Sequence, residues 1–244
     1  MYKKKVYIIF IALVISIIAG IICIERYFTH KDAKKFEWDS VDIDSKISNQ
    51  IPLFRKIKPN SKTEGFVVKF DKRKIYCPRI DTIDWGIMPD TGIYFLFSDS
   101  SYLEIYKGTG YDTYRKITDQ SPSNKYNVLI PFLEKNNIKS NSYTLWKLIH
   151  SFEPDQIGYF DSEVDLKYKY ALISMKNIIL CSGGEDYLCE FESDNGIRGF
   201  QYGLADENRE IYIVAFPEEN QPFFIITEGC SQKQLDQLIN SLGR

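Results

Sequence analysis

Few side chains in this 244-residue chain are of a type and spacing that could do chemistry. His150 closes a helical pattern beside Ser151. A hydrolase would need a nucleophile and an orienting carboxylate around it, and no Gly-x-Ser-x-Gly elbow or comparable signature is present. His150 therefore reads as a helix-end residue favoured by the negative end of the helix dipole. His30 is the other histidine, which excludes a histidine-rich zinc site, and the cysteines lack Cys-x-x-Cys spacing. Gly108-Thr109-Gly110 follows a strand, as a phosphate loop would, but no third glycine, lysine or helix start comes after it, so it reads as a turn. Asp39, Asp42 and Asp44 lack the glycine and distal glutamate of a calcium loop and read as capping and solvated residues. The sequence thus points away from catalysis and names no cofactor and no metal.

Charge clusters are the next candidates. Lys69, Lys72, Arg73, Lys74 and Arg79 gather around one turn and read as a solvated hairpin tip. Residues 25–130 carry 18 basic and 15 acidic side chains, residues 131–244 carry 10 and 18. An acidic C-terminal half argues against nucleic acid as a partner. Within it Glu185, Asp186, Glu190, Glu192 and Asp194 surround a strand that begins at Tyr187. Such charges block edge-to-edge aggregation. They also form the best candidate surface for a basic protein partner, with Tyr187 as an aromatic anchor.

Cys23 lies in the first apolar segment, leaving Cys77, Cys181, Cys189 and Cys230, which allow three pairings. Cys181 and Cys189 flank a hairpin loop and are candidates for a bridge, as are Cys77 and Cys230; buried thiols are the alternative. No Asn-x-Ser/Thr acceptor occurs in the chain.

The element that places all these residues is the N-terminal one. Val6–Ile24 is nineteen residues without a charge, preceded by Lys3, Lys4 and Lys5 and followed by Glu25 and Arg26. As a helix it spans roughly 28 Å, close to the hydrocarbon thickness of a bilayer. A cleaved signal peptide shares this order of charge and apolar residues, but its apolar region is shorter and followed by small residues at the cleavage site. The expected organisation is a cytoplasmic tail at 1–5, a transmembrane anchor at 6–24, a juxtamembrane stalk at 25–50 and an extracytoplasmic domain at 51–244, periplasmic or cell-surface. Basic residues on both flanks nearly balance the positive-inside count, and the short basic tail favours an N-terminus inside.

In the domain, short β-branched and aromatic runs at Phe66–Phe70, Ile75–Ile80, Ile93–Phe97 and Tyr102–Tyr106 predict strands, the last two joined across Ser98–Ser101. Helical spacing of Leu145, Leu148, Ile149 and Phe152 predicts a helix over Ser142–Ser151, and a helical turn is expected at Val128–Leu133. Strand patterns return in Tyr170–Leu180, Tyr187–Phe191, Ile197–Tyr202, Glu210–Phe216 and Phe223–Thr227. Gly183-Gly184 and Asn195-Gly196 supply turns at hairpin distances. Ser231-Gln232-Lys233-Gln234 is a capping box before Leu235, Leu238, Ile239 and Leu242 on one helical face. The fold class is therefore α+β: a transmembrane helix, then a mostly antiparallel sheet domain with a packed C-terminal helix.

The order of antiparallel strands followed by a terminal helix ending Leu238-Ile239-Asn240-Ser241-Leu242 resembles the C-terminal half of PsbP-like α/β/α sandwich domains. It covers roughly Tyr170 to Leu242 and carries no functional motif. The resemblance implies a binding or assembly role rather than an enzyme. The expectation is a single-pass membrane protein that binds a protein partner, in one concrete form an immunity-type protector against a basic antibacterial effector. An envelope assembly or small-ligand-binding subunit is the alternative.

Overall fold

The apolar run coils into one long helix, α1 (Tyr2–Lys34), in a computed structural model that describes residues 2–34, 49–58, 65–70, 73–88, 92–108, 134, 137, 143–180, 187–205, 209–218 and 221–243. Its Ile11–Ala33 part is long and apolar enough to cross a membrane, and its apolar window is unburied. The helix does not end with the apolar run. No proline or glycine stands between Ile21 and Lys34 to stop it, so Glu25–Lys34, expected as the start of a stalk, adds about three more turns. Those turns dock on the domain, where Ala33 is fully buried with Leu166 and Tyr170. The turn expected at Val128–Leu133 lies outside the described residues.

Ten strands follow among the described residues: β1 (Leu53–Ile57), β2 (Phe66–Phe70), β3 (Arg73–Cys77), β4 (Thr82–Met88), β5 (Gly92–Phe97), β6 (Tyr102–Lys107), β7 (Leu188–Ser193), β8 (Arg198–Tyr202), β9 (Ile211–Glu218) and β10 (Gln221–Glu228). Eight of them form one sheet in the order β1-β7-β8-β9-β10-β6-β5-β4, and β2 pairs with β3 as a separate hairpin. β1 runs parallel to β7, and the other neighbours in the sheet are antiparallel. Turn chemistry sets the hairpins. Gly196, with φ of 78°, takes the left-handed conformation that the β7–β8 turn requires. Between β5 and β6 the tight turn closes through Phe97 N–H to Ser101 O and Ser100 N–H to Phe97 O.

Among the described residues three helices cover the sheet: α2 (Tyr143–Ser151), α3 (Glu163–Leu180) and α4 (Gln232–Ser241). α3 corrects the expectation of a strand over Tyr170–Leu180. Its start is signalled upstream, where Ser162 Oγ accepts from the Asp165 N–H at 3.1 Å and Glu163 and Asp165 occupy the first turn. Ala171–Asn177 is buried throughout, so the 3.6-residue period that betrays a surface helix is absent. The segment compared with PsbP-like domains consequently opens on a helix, not a strand. α4 forms as the capping box dictates, with both reciprocal hydrogen bonds between Ser231 and Gln234 present.

Two cores result. On one face α4 and the β2–β3 hairpin bury Val68, Phe70, Ile75, Leu235, Leu238 and Ile239 against Phe95, Phe191, Ile213 and Phe223. On the other, Tyr143 and Trp146 of α2 and Leu180 of α3 pack on Phe200, Tyr202, Val214 and Phe216. Gly199 makes the first possible, since a Cβ there would stand 2.1 Å from Val214 O.

Candidate functional site

The sheet edge formed by β1, β7 and β8 carries an open groove of about 540 Å³ beneath α2. β-Strand alternation explains its floor. Phe54 and Lys56 of β1, Glu190 and Glu192 of β7, and Arg198 of β8 all point to the α2 side. Tyr143 and, about one helical turn further along α2, Lys147 and Leu148 form the wall. Phe54 stands 64% exposed at the rim.

The charges in this groove are paired. Tyr143 donates its hydroxyl to Glu190, and Lys147 Nζ reaches the same carboxylate at 2.9 Å. Burial first, and then that carboxylate, push the Tyr143 phenol well above its ordinary value. The Arg198 guanidinium lies 4.2 Å from the Tyr143 ring centroid, within cation–π range. Register places Glu192 directly between Lys56 and Arg198, and Lys56 Nζ is 3.2 Å from it. The acidic strand is thus lined by Arg198 from the adjoining hairpin strand and by Lys56 and Lys147, which the linear sequence keeps far away.

The four partner-binding candidates among the described residues do not share one surface. Glu190 and Glu192 face the groove, and Asp194 is exposed in the β7–β8 turn. Tyr187 is half-buried near Arg55 and Asp236, its phenol raised to about 12 by burial and then by the Cys189 thiol. Glu185 and Asp186 lie outside the described residues. On the α4 side Arg55 grips Asp236 with bonds of 2.6 and 2.7 Å and donates to Gln201 at 3.1 Å, pinning β1 to α4. Phe54, Tyr143, Lys147 and Arg198 were missed at the sequence level. Leu53-Phe54-Arg55-Lys56-Ile57 shows no apolar–polar alternation that would announce β1, and its parallel pairing with β7 is non-local.

The basic cluster also has a structural role. Arg73 donates to Leu242 O at 2.9 Å and pairs with Glu218. Arg79 lies 4.2 Å from the Phe97 ring centroid and binds Asp81, Asp99, Ser101 and the Gly229 carbonyl. Lys69 and Lys74 remain exposed on the β2–β3 hairpin, as expected. Gly108 extends the ladder by donating to Pro222 O at 2.9 Å, and its missing side chain makes room for Phe224. Thr109, Gly110, Asp39, Asp42 and Asp44 lie outside the described residues.

His150 is not the dipole-stabilised cation the sequence suggested. It is fully buried, 2.7 Å from the Tyr202 hydroxyl, and burial, followed by nearby Lys176, lowers its pKa to about 3. The ring is neutral at ordinary pH. Lys176, also fully buried, donates to Phe152 O at 2.9 Å and is lowered to about 8 by burial. Cys77, Cys189 and Cys230 are buried free thiols, so the Cys77–Cys230 pairing is not formed, while Cys181, the proposed partner of Cys189, lies outside the described residues. Among the described residues no group of three or more His, Cys, Asp or Glu side chains could hold a metal ion.

The chain matches no family model, no curated protein and no solved structure.

Proposed function

We propose that the protein is a membrane-anchored, extracytoplasmic, non-enzymatic binding protein that takes a segment of a protein partner in the groove beneath α2. The observation that carries this reading is an exposed aromatic, Phe54, at the rim of an open groove whose walls hold charges of both signs. Interface energy concentrates in such aromatic and arginine residues. The groove is open rather than enclosing, which suits a peptide segment better than a small molecule. The anchor, α1, keeps capture at the membrane. An immunity-type protector against a basic antibacterial effector is the concrete form. The effector's cations would engage the hairpin ends near Asp194, because Glu190 and Glu192 already have cationic neighbours. Kinship with PsbP-like domains belongs to this reading, supported by a sheet lying between α2–α3 and α4.

An envelope assembly subunit is the second reading. It is favoured by β4, at the opposite end of the sheet, where Ile83, Trp85 and Ile87 stand exposed. A photo-crosslinking amino acid placed at Phe54, and separately at Ile83, in the native membrane separates the two. A discrete protein adduct from Phe54 alone supports the groove. Adducts from Ile83 alone would transfer the function to the other edge.

A further inference from the structure

The loop between the 3-10 turn Pro154–Gln156 and α3 holds the domain against α1. Arg26 Nη1 donates to Asp161 O at 2.7 Å, and the Tyr159 hydroxyl lies 3.5 Å from Cys23 O. His30 stacks on the Tyr159 ring at 5.7 Å, with its Nε2 3.2 Å from the Tyr159 carbonyl. Cys23 belongs to the last apolar turn of α1 and Arg26 to the first charged one, a separation of about 5 Å along the helix axis. The loop therefore sits at the height where the helix leaves the hydrocarbon. There Phe160 is 73% exposed, its ring 5.8 Å from Arg26, and Tyr27 and Phe28 are exposed on α1 itself.

An exposed phenylalanine on a loop clamped by four separate contacts is held in place, and water is a poor solvent for it. Aromatic side chains concentrate at the level of lipid headgroups, where an apolar ring is buried while polar atoms stay hydrated. Resting on the reading of α1 as a membrane anchor, we infer that Tyr27, Phe28, Tyr159 and Phe160 form an aromatic collar seated in the interfacial layer of the membrane that α1 crosses. The domain then stands directly on the bilayer in a fixed orientation, with Arg26 held within the collar by the Asp161 carbonyl and the Phe160 ring.

The test uses the full chain reconstituted in vesicles of phosphatidylcholine and phosphatidylglycerol. A fluorescent amino acid is placed at Phe160 or at Lys233, an exposed residue of α4 on the far face of the sheet, and lipids brominated near the top of the acyl chain serve as quenchers. Quenching at Phe160 about threefold or more above that at Lys233 is expected for an interfacial ring. Equal quenching at the two positions, in protein that floats with the vesicles after alkaline washing, would overturn the collar and leave the anchor standing. Failure to float would overturn the anchor, and the collar with it. Phe160→Asp, which touches an exposed side chain, should retain the melting transition and blue-shift the emission of a reporter at Tyr159 less than in the parent; an unchanged shift would also contradict the collar.

Discussion

His150 shows how a single buried group sets a pH dependence. The unfolded chain protonates it below about 6.5, whereas the folded protein keeps it neutral down to about 3. Its contribution to stability is complete above about pH 6.5 and is lost as pH falls toward 3. His150→Gln should flatten the fall in denaturation midpoint between pH 6.5 and 4, removing a slope of up to about 1.4 kcal/mol per pH unit. Parallel profiles for the two proteins would refute the neutral assignment. Arg79 makes a second test at this scale. It holds the Asp81 carboxyl down to about 2, a contribution present above the usual carboxylate range and lost as pH falls through it. Arg79→Ala should cost about 2 kcal/mol in urea unfolding, with Arg79→Lys intermediate, because a lysine lacks the planar fork that spans Asp81, Asp99 and Ser101. Glu190→Gln should destabilise by about 1 kcal/mol through weakened bonds to Tyr143 and Lys147, a cost that an unpaired surface carboxylate would not show.

At the scale of elements, what could be read from the sequence was whatever announced itself locally. The β5–β6 hairpin, the β7–β10 meander, α2 and the Ser231 capping box were legible because alternation, turn residues and caps lie within a few positions of one another. α3 was read as a strand, since a helix buried on nearly every side carries aromatic and β-branched residues with no polar stripe to give its period. Its true signal was Ser162 and the two acids after it. Ser162→Ala should therefore lower stability by about 1 kcal/mol and reduce helicity by circular dichroism, and no change would mean that the cap is immaterial. β1 and β4 escaped notice because each lies at an end of the sheet and has long side chains in solvent. Gly199→Ala should cost about 3 kcal/mol, since the added carbon meets a backbone carbonyl on the adjacent strand rather than a yielding side chain.

For the whole molecule, α1 was legible in its run of apolar residues but its continuation onto the domain was not, because that depends on Ala33 meeting Leu166 and Tyr170 more than 130 residues away. The candidate site was half legible for the same reason. Glu190 and Glu192 stand out in the sequence; the residues that turn them from a free acidic strand into one side of a paired groove arrive from β1, β8 and α2. The groove, the sheet and α1 then form one unit, with the β1–β7–β8 edge held at a set position relative to α1. The most direct test is the affinity of the crosslinked partner for three forms of the full chain. Phe54→Ala should weaken binding about thirtyfold, the loss of roughly 2 kcal/mol typical of an aromatic anchor, and Trp85→Ala at the far edge should leave it unchanged. Binding by Phe54→Ala at the parent's affinity would contradict the groove as the site of function.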